Sequence, residues 1–261
     1  MDIKILVAAH KKYRFPQDTI YMPVQVGAAR GGDLGIARDD TGENISEMNP
    51  YYCELTGMYW MWKNVNADYY GLVHYRRYFT DKPFMSHFIK DKLTCVIGKD
   101  RLVPILKRYD IVLPGKRHYY IETLYSHYAH THYEEHLTAT KSIIKDICPE
   151  YSHAFDKVMK QRSGHMFNMM IMSREKFDAY CTWLFPILKE LEGVIDYKKY
   201  DAFQARLFGR ISELLLNVWI VHNGFDYKEL STVNIEPLQW GRKICSFMRA
   251  VLGGKKYHKS F

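Results

Sequence analysis

The run Tyr70-Gly71-Leu72-Val73-His74-Tyr75-Arg76-Arg77-Tyr78-Phe79 sets a histidine and two arginines at the end of an apolar stretch. Two guanidinium groups at a buried strand end are costly unless an anion neutralises them, and planar guanidinium groups match phosphate oxygens. That chemistry is a clamp for a diphosphate or a phosphosugar. Read as one strand over 70–79, the alternation puts His74 and Arg76 on one face and Tyr75 and Arg77 on the other. The competing reading is a solvated strand edge with local salt bridges. A second run leads from Asn44-Ile45-Ser46 into Asn49-Pro50-Tyr51-Tyr52-Cys53-Glu54-Leu55-Thr56-Gly57-Met58-Tyr59-Trp60-Met61-Trp62-Lys63-Asn64. Pro50 suits a first helical turn, and on a helix Tyr52, Thr56, Tyr59 and Lys63 share one stripe. Glu54 and Thr56 are polar in an otherwise apolar helix; they serve a ligand or satisfy loop backbone groups. A third candidate is Glu213, flanked by Ile211, Leu214 and Leu215. Desolvation there raises a carboxyl pKa toward that of a general base. Alternatively Glu213 pairs with Arg206 or Arg210 on its own helix. Glu54 is the second-choice carboxylate and Asp201 a distant third.

These residues need a frame. Ile3 to Ala9 reads as a buried strand and Tyr21 to Val26 as a shorter one. Gly27 to Asn49, rich in Gly, Asp and Asn, is a long loop of the kind that carries function. Further strands are predicted at Tyr70–Phe79, Asp110–Pro114 and Met166–Met172. Helices are predicted from Pro50 to Asn64, Lys99 to Tyr109, Glu122 to about Ile147, Tyr151 to Gln161, Arg174 to Leu191 and Gln204 to His222. Strands alternate with helices, which predicts one α/β layer domain over 1–237 with a mostly parallel central sheet. In such sheets ligands sit beyond the C-terminal strand ends. The helix after Glu122 gathers His127, His130, His132 and His136. Without Cys or a second ligand segment at known spacing, these read as packing or groove-lining residues rather than a metal site.

Several chemistries lack their motifs. The glycines at 27, 31, 32 and 35 do not form G-x-G-x-x-G, and no phosphate-binding G-x-x-x-x-G-K-[ST] occurs. Nor is there a G-x-S-x-G or an H-E-x-x-H. The five cysteines are scattered without a C-x-x-C pair, so neither zinc spacing nor a disulfide framework is expected.

The two long runs together resemble the signature of the DUF4422 family, and Ser212-Glu213-Leu214-Leu215-Leu216-Asn217-Val218-Trp219 fits it as well. The resemblance extends from Ile5 to about Asn223. Members belong to capsular and exopolysaccharide gene sets and are regarded as GT-A-like glycosyltransferases; some related domains transfer galactofuranose. The resemblance implies sugar transfer from a nucleotide donor, UDP-linked, with UDP-galactofuranose as the first donor to try. It implies a lipid-linked glycan as acceptor, built on polyprenyl diphosphate. By analogy with GT-A folds, the first strand end at His10 holds the nucleotide. Asn44, Thr56, Tyr59, Lys63, His74, Tyr75, Arg76, Arg77 and Arg210 are the other donor-binding candidates, with His165 and Asn168 near donor or acceptor sugar. Glu213, or else Glu54, is the base of an inverting transfer. Most GT-A enzymes bind Mn²⁺ or Mg²⁺ through D-x-D after a strand. Here that strand ends His-Tyr-Arg-Arg, so a metal-independent transfer is expected, with Arg76 and Arg77 stabilising the leaving phosphate. The missing D-x-D also fits a GT-A-like assembly protein that has lost catalysis.

The net charge of +8 separates into +6 in the last 25 residues and +2 in the rest. The nearly neutral body argues against a module for single-stranded nucleic acid, which interleaves basic and aromatic residues throughout. In the tail, 238–261, Trp240, Ile244, Phe247, Met248 and Val251 form one apolar stripe with Arg242, Lys243 and Arg249 off it. This predicts a basic amphipathic helix on an anionic membrane surface, or a helix docked on its own domain. No run approaches the roughly 20 apolar residues that span a bilayer. The expected location is cytoplasmic, peripheral on the inner face of the cell membrane.

Overall fold

The computed structural model describes residues 1–236; the tail read as an amphipathic helix lies outside them. The strands are β1 (Ile3–Ala9), β2 (Tyr21–Gln25), β3 (Ala37–Arg38), β4 (Tyr69–His74), β5 (Arg77–Thr80), β6 (Ile111–Pro114), β7 (Arg117–His118), β8 (Ser163–Gly164), β9 (Met170–Ser173) and β10 (Lys228–Asn234). The helices are α1 (Asn49–Tyr52), α2 (Leu55–Asn64), α3 (Lys99–Leu106), α4 (Leu124–Thr131), α5 (Glu135–Ile147), α6 (Ser152–Met159), α7 (Arg174–Val194) and α8 (Leu207–Asn223). Eight strands form one sheet, with β4 bonded to β1 on one side and to β9 on the other, and β7 pairs with β8 in a separate ribbon.

The sheet is mixed, not mostly parallel. β1 runs parallel to β2 and β4, and β6 to β10, but β9 is antiparallel to β4 and β6, and β10 to β5. The cause lies in the connections: β4 and β5 are joined by two residues, and so short a link permits only an antiparallel pair. β10, which the sequence did not announce, begins with two exposed charged residues and buries only Leu230 and Val233.

Successive residues of β1 feed opposite faces, as a strand must. Leu6 and Ala8 join the larger core with Leu72, Leu113 and most of the helices, while Ile5, Val7 and Ala9 pack with Val73, Phe79 and Leu102 of α3 on the other side. Gly71 sits where strands crowd: a Cβ there would lie 2.9 Å from Ile5 and 3.1 Å from Ile171.

The loop from Gly27 to Met48 is held by one buried carboxylate. Asp39, 0% exposed, accepts from the amides of Gly27 (2.9 Å) and Ala28 (3.0 Å) and from the hydroxyls of Ser46 (2.5 Å) and Thr56 (2.6 Å). It ties the loop to the first turn of α2. Asp39→Ala leaves four donors without their acceptor and is expected to cost about 3 kcal/mol or more. The check is urea unfolding, with a lower midpoint at an unchanged slope.

Candidate functional site

The chain reverses where a single strand was expected. β4 ends at His74, Tyr75 and Arg76 form the corner, and β5 begins at Arg77 directly opposite His74. Strand alternation therefore does not apply across 74–77. The turn brings His74 and Arg77 side by side at the C-terminal end of a central strand, where α/β folds bind ligands. Tyr75 is buried and packs edge-on against His10 at 5.1 Å and Tyr13 at 5.0 Å. Arg76 is 42% exposed, with its guanidinium 3.8 Å from Glu236. The Arg77 guanidinium lies 3.7 Å over the Phe167 ring and donates through Nε to Asn234 at 3.0 Å. Burial, and then the charge of Arg76, pushes its pKa down to about 10, so it stays cationic at neutral pH.

Opposite this turn the backbone takes two consecutive left-handed residues, Phe167 (φ 77°) and Asn168 (φ 52°). His74 Nε2 lies 2.6 Å from the Phe167 carbonyl oxygen and donates its hydrogen there. Burial holds His74 below its ordinary value, against the pull of Glu54, which suits a neutral donor. The Phe167 amide donates to the Glu213 carboxylate. Asn168 donates to Glu54 Oε1 at 2.7 Å and to the Gly209 carbonyl at 2.9 Å, and accepts from Ser212 at 2.7 Å. The predicted strand at 166–172 therefore begins only at Met170. The predicted helix from Pro50 breaks too: Cys53, at φ 55° and ψ −131°, separates α1 from α2 and accepts from Arg206 Nε at 3.0 Å. Gly209 faces this break, where a Cβ would lie 3.3 Å from Cys53. Cys53, Phe167 and Asn168 are three of the four non-glycine residues with positive φ among the described residues. Such strain costs about 1–3 kcal/mol per residue and gathers at functional sites.

Two carboxylates and a group of arginines converge here. Burial, and then the neighbouring charge of Glu54, pushes Glu213 up to about 7, while Arg117 and Arg210 pull the other way. Glu213 makes no ion pair with Arg206 or Arg210 among the described residues; Arg206 turns to Cys53, and Arg210 donates to the Phe203 carbonyl at 2.6 Å and stacks over that ring at 4.1 Å. Burial lowers the pKa of Arg210, and its Nη1 has no hydrogen-bond partner among the described residues. His10 lies at the rim, its pKa lowered by burial and by Lys11, Arg76 and Arg206. The structure thus brings together Glu54, His74, Arg76, Arg77, Asn168, Arg210 and Glu213, with His10 and Tyr75 beside them.

It does not bring in the rest. Thr56 is bonded to Asp39, and Asn44 caps its own turn through Gly42 and Ser46. Tyr59 donates to Glu43 at 2.8 Å and Lys63 pairs with the same carboxylate at 3.7 Å, so this stripe of α2 fixes the long loop. His165 is 2% exposed and held between Asn217 and Glu229, lining a separate cavity of about 300 Å³ with Lys116 and Tyr227. Asp201 accepts from the amides of Phe203 and Gln204. The histidines do not share one helix: His127 and His130 lie on α4, His132 at the break after it, and His136 on α5. His127 and His130 each approach Glu122 at 2.6 Å, His132 meets Gln204 at 2.9 Å, and Tyr128 meets His136 at 3.0 Å.

Arg117 and Phe167 went unassigned in the sequence. Lys116-Arg117 directly after the strand stop Pro114-Gly115 was the available signal for the first. For Phe167 the signal was weaker, an Asn placed inside an apolar run. The end of β4 presents Arg76 and Arg77 beside Glu54 and Glu213, and among the described residues no group of three His, Cys, Asp or Glu is gathered as a ready metal site.

This architecture has a solved relative. The structure of WbbM, a bifunctional glycosyltransferase in its apo form, matches with a TM-score of 0.82 and 30% identity, covering 91% of this chain. The match covers 46% of the WbbM chain, so this protein spans about half of that enzyme's length. A search of the curated proteins finds no match. The family model for DUF4422, a domain of unknown function, matches residues 4–224, which contain every residue of the cluster just described except Glu236 and Asn234. The chain belongs to the DUF4422 family.

Proposed function

We propose that this protein is a glycosyltransferase that moves a sugar from a UDP-sugar to a hydroxyl of a lipid-linked glycan. The observation that carries the reading is the turn that sets Arg77 within electrostatic reach of the buried Glu213, whose pKa is pushed up to about 7. The likeness to half of a bifunctional glycosyltransferase supports it. UDP-galactofuranose remains the first donor to try.

The roles follow from charge. The acceptor oxygen forms a bond to the anomeric carbon while the bond from that carbon to the diphosphate oxygen breaks. Glu213 takes the acceptor's proton. The negative charge that develops on the departing UDP falls to Arg77 and Arg76, with Arg117 and Arg206 behind them. Burial, and then repulsion from Glu54, which Asn168 holds, keeps Glu213 protonatable near pH 7. Attack from the side opposite the leaving group makes the transfer inverting. Membrane attachment through the 238–261 tail would place the enzyme at its acceptor.

The test is a thermal-shift screen of nucleotide sugars followed by a transfer assay with and without EDTA. A UDP-sugar should raise the melting temperature, because a ligand that binds only the native state stabilises it. Transfer should persist in EDTA. Stabilisation by oligonucleotides alone would sink the glycosyltransferase reading. Complete loss in EDTA, restored by Mn²⁺, would sink the metal-free mechanism alone.

A further inference from the structure

The segment between β5 and α3 carries an apolar prominence that the fold does not use. Phe84 and Phe88 are 74% and 75% exposed, and Met85 between them is 50% exposed. The two rings pack on each other at 5.0 Å, so they form one patch rather than scattered surface residues. They sit on a short 3-10 turn, Met85–His87, that is stiffened from within. Ser86 donates from its amide to Lys82 and from its hydroxyl to Pro83, and the amides of Phe88 and Ile89 both donate to the Met85 carbonyl. Pro83 has no N–H. The tip therefore exposes fewer unsatisfied backbone groups than an open loop, which lowers the cost of leaving water for a less polar medium.

The charges around the patch are of one effective sign. The two acids that flank it are neutralised, Asp81 by Arg101 and Asp91 by Arg14. Lys82, Lys90 and Lys92 make no ion pair among the described residues. An aromatic and methionine tip flanked in sequence by such lysines matches the interface of an anionic bilayer, where aromatic rings lie at headgroup depth and lysines meet lipid phosphates. A protein partner or a second copy would need acidic groups facing three lysines around a patch of three side chains. No described helix is long and apolar enough to cross a membrane, so any contact through this loop is with one leaflet.

We propose that Phe84, Met85 and Phe88, with Lys82, Lys90 and Lys92, form a membrane-contact loop that inserts into the headgroup region of an anionic bilayer. It is a second attachment point, separate from the basic tail, and does not depend on the transfer reaction.

The experiment uses the full chain and vesicles of phosphatidylcholine, either alone or with roughly one-third phosphatidylglycerol. Cosedimentation of the wild type should require the anionic lipid. The double variant Phe84→Ser/Phe88→Ser should bind about tenfold more weakly with its melting temperature unchanged, since both side chains lie in solvent. Lys82→Glu/Lys90→Glu should weaken binding with a loss that salt mimics in the wild type. A Phe88→Trp variant should gain fluorescence quenching by brominated lipid over the native background. Three results would overturn the proposal: no vesicle binding by the wild type, equal binding by the Phe84→Ser/Phe88→Ser protein, or no added quenching in the Phe88→Trp variant. A change in oligomeric state without a change in vesicle binding would also overturn it, by assigning the patch to a second copy.

Discussion

Glu213→Gln should lower kcat by about 10²-fold to 10⁴-fold while making the protein more stable at pH 8. The two effects share one cause. Burial and the charge of Glu54 raise the Glu213 pKa from 4.5 to about 7, so the folded chain pays for the ionised form. Between those two values the folded protein holds a proton that the unfolded chain has released. Stability from this group is thus present below the unfolded value and falls as pH rises toward 7. Above pH 7 the buried charge is only partly offset by the Phe167 amide, Arg117 and Arg210. Glutamine keeps the shape and still accepts from the Phe167 amide, so the substitution should return about 1–3 kcal/mol at pH 8 and nothing at pH 4. Melting curves at the two pH values check the stability effect. The wild-type rate should rise with pH through about 7, as the base ionises. Near-normal turnover by Glu213→Gln would remove it from the mechanism, and a loss of activity without added stability at pH 8 would mean that it is not buried as a strained acid.

The elements that were legible in the sequence are those with regular periods. β1, α7 and α8 were placed to within three residues because nothing interrupts their apolar spacing. The predicted elements that came apart did so at particular residues. The helix from Pro50 stops at Cys53, the strand from Tyr70 turns at Tyr75-Arg76, and the strand from Met166 waits until Met170 because Phe167 and Asn168 are left-handed. Local periodicity rewards continuity, and none of these breaks carries a glycine or proline to announce it. All three breaks lie at the cluster. Sequence rules fail where a site imposes backbone geometry that local preference does not supply. Residue chemistry survived this better than geometry did. Arg76, Arg77, Glu54 and Glu213 were identifiable as charges in apolar surroundings. The Tyr59 and Lys63 stripe looked equally suggestive, but its partner is Glu43, and that pairing across 16 or more residues is a tertiary fact no spacing reveals.

Arg77→Ala should cost about 10²-fold to 10³-fold in kcat/KM, the loss expected when one fixed donor to a developing negative charge is removed. The guanidinium is placed for this. Its Nε is engaged by Asn234 and its face by Phe167, which fixes the plane, while the terminal nitrogens make no hydrogen bond among the described residues. Lysine in its place cannot stack or offer two parallel donors, so Arg77→Lys should recover only part of the rate. A structural role predicts otherwise, because burying an arginine is itself unfavourable here, as its depressed pKa shows. Removing it should leave the melting temperature unchanged or higher while weakening stabilisation by UDP. The pH profile separates the two carboxylates as well. Arg77 and Glu213 attract each other, so Arg77→Ala should move the acid limb of the rate profile to higher pH. Glu54 repels Glu213, so Glu54→Gln should move the same limb to lower pH. Opposite displacements of one limb would place the titrating group between Arg77 and Glu54, where both Glu213 and His74 lie; loss of that limb in Glu213→Gln assigns it to Glu213. Displacement of that limb in the same direction by both substitutions would instead assign the titration to another group and leave Glu54 as the carboxylate to test next.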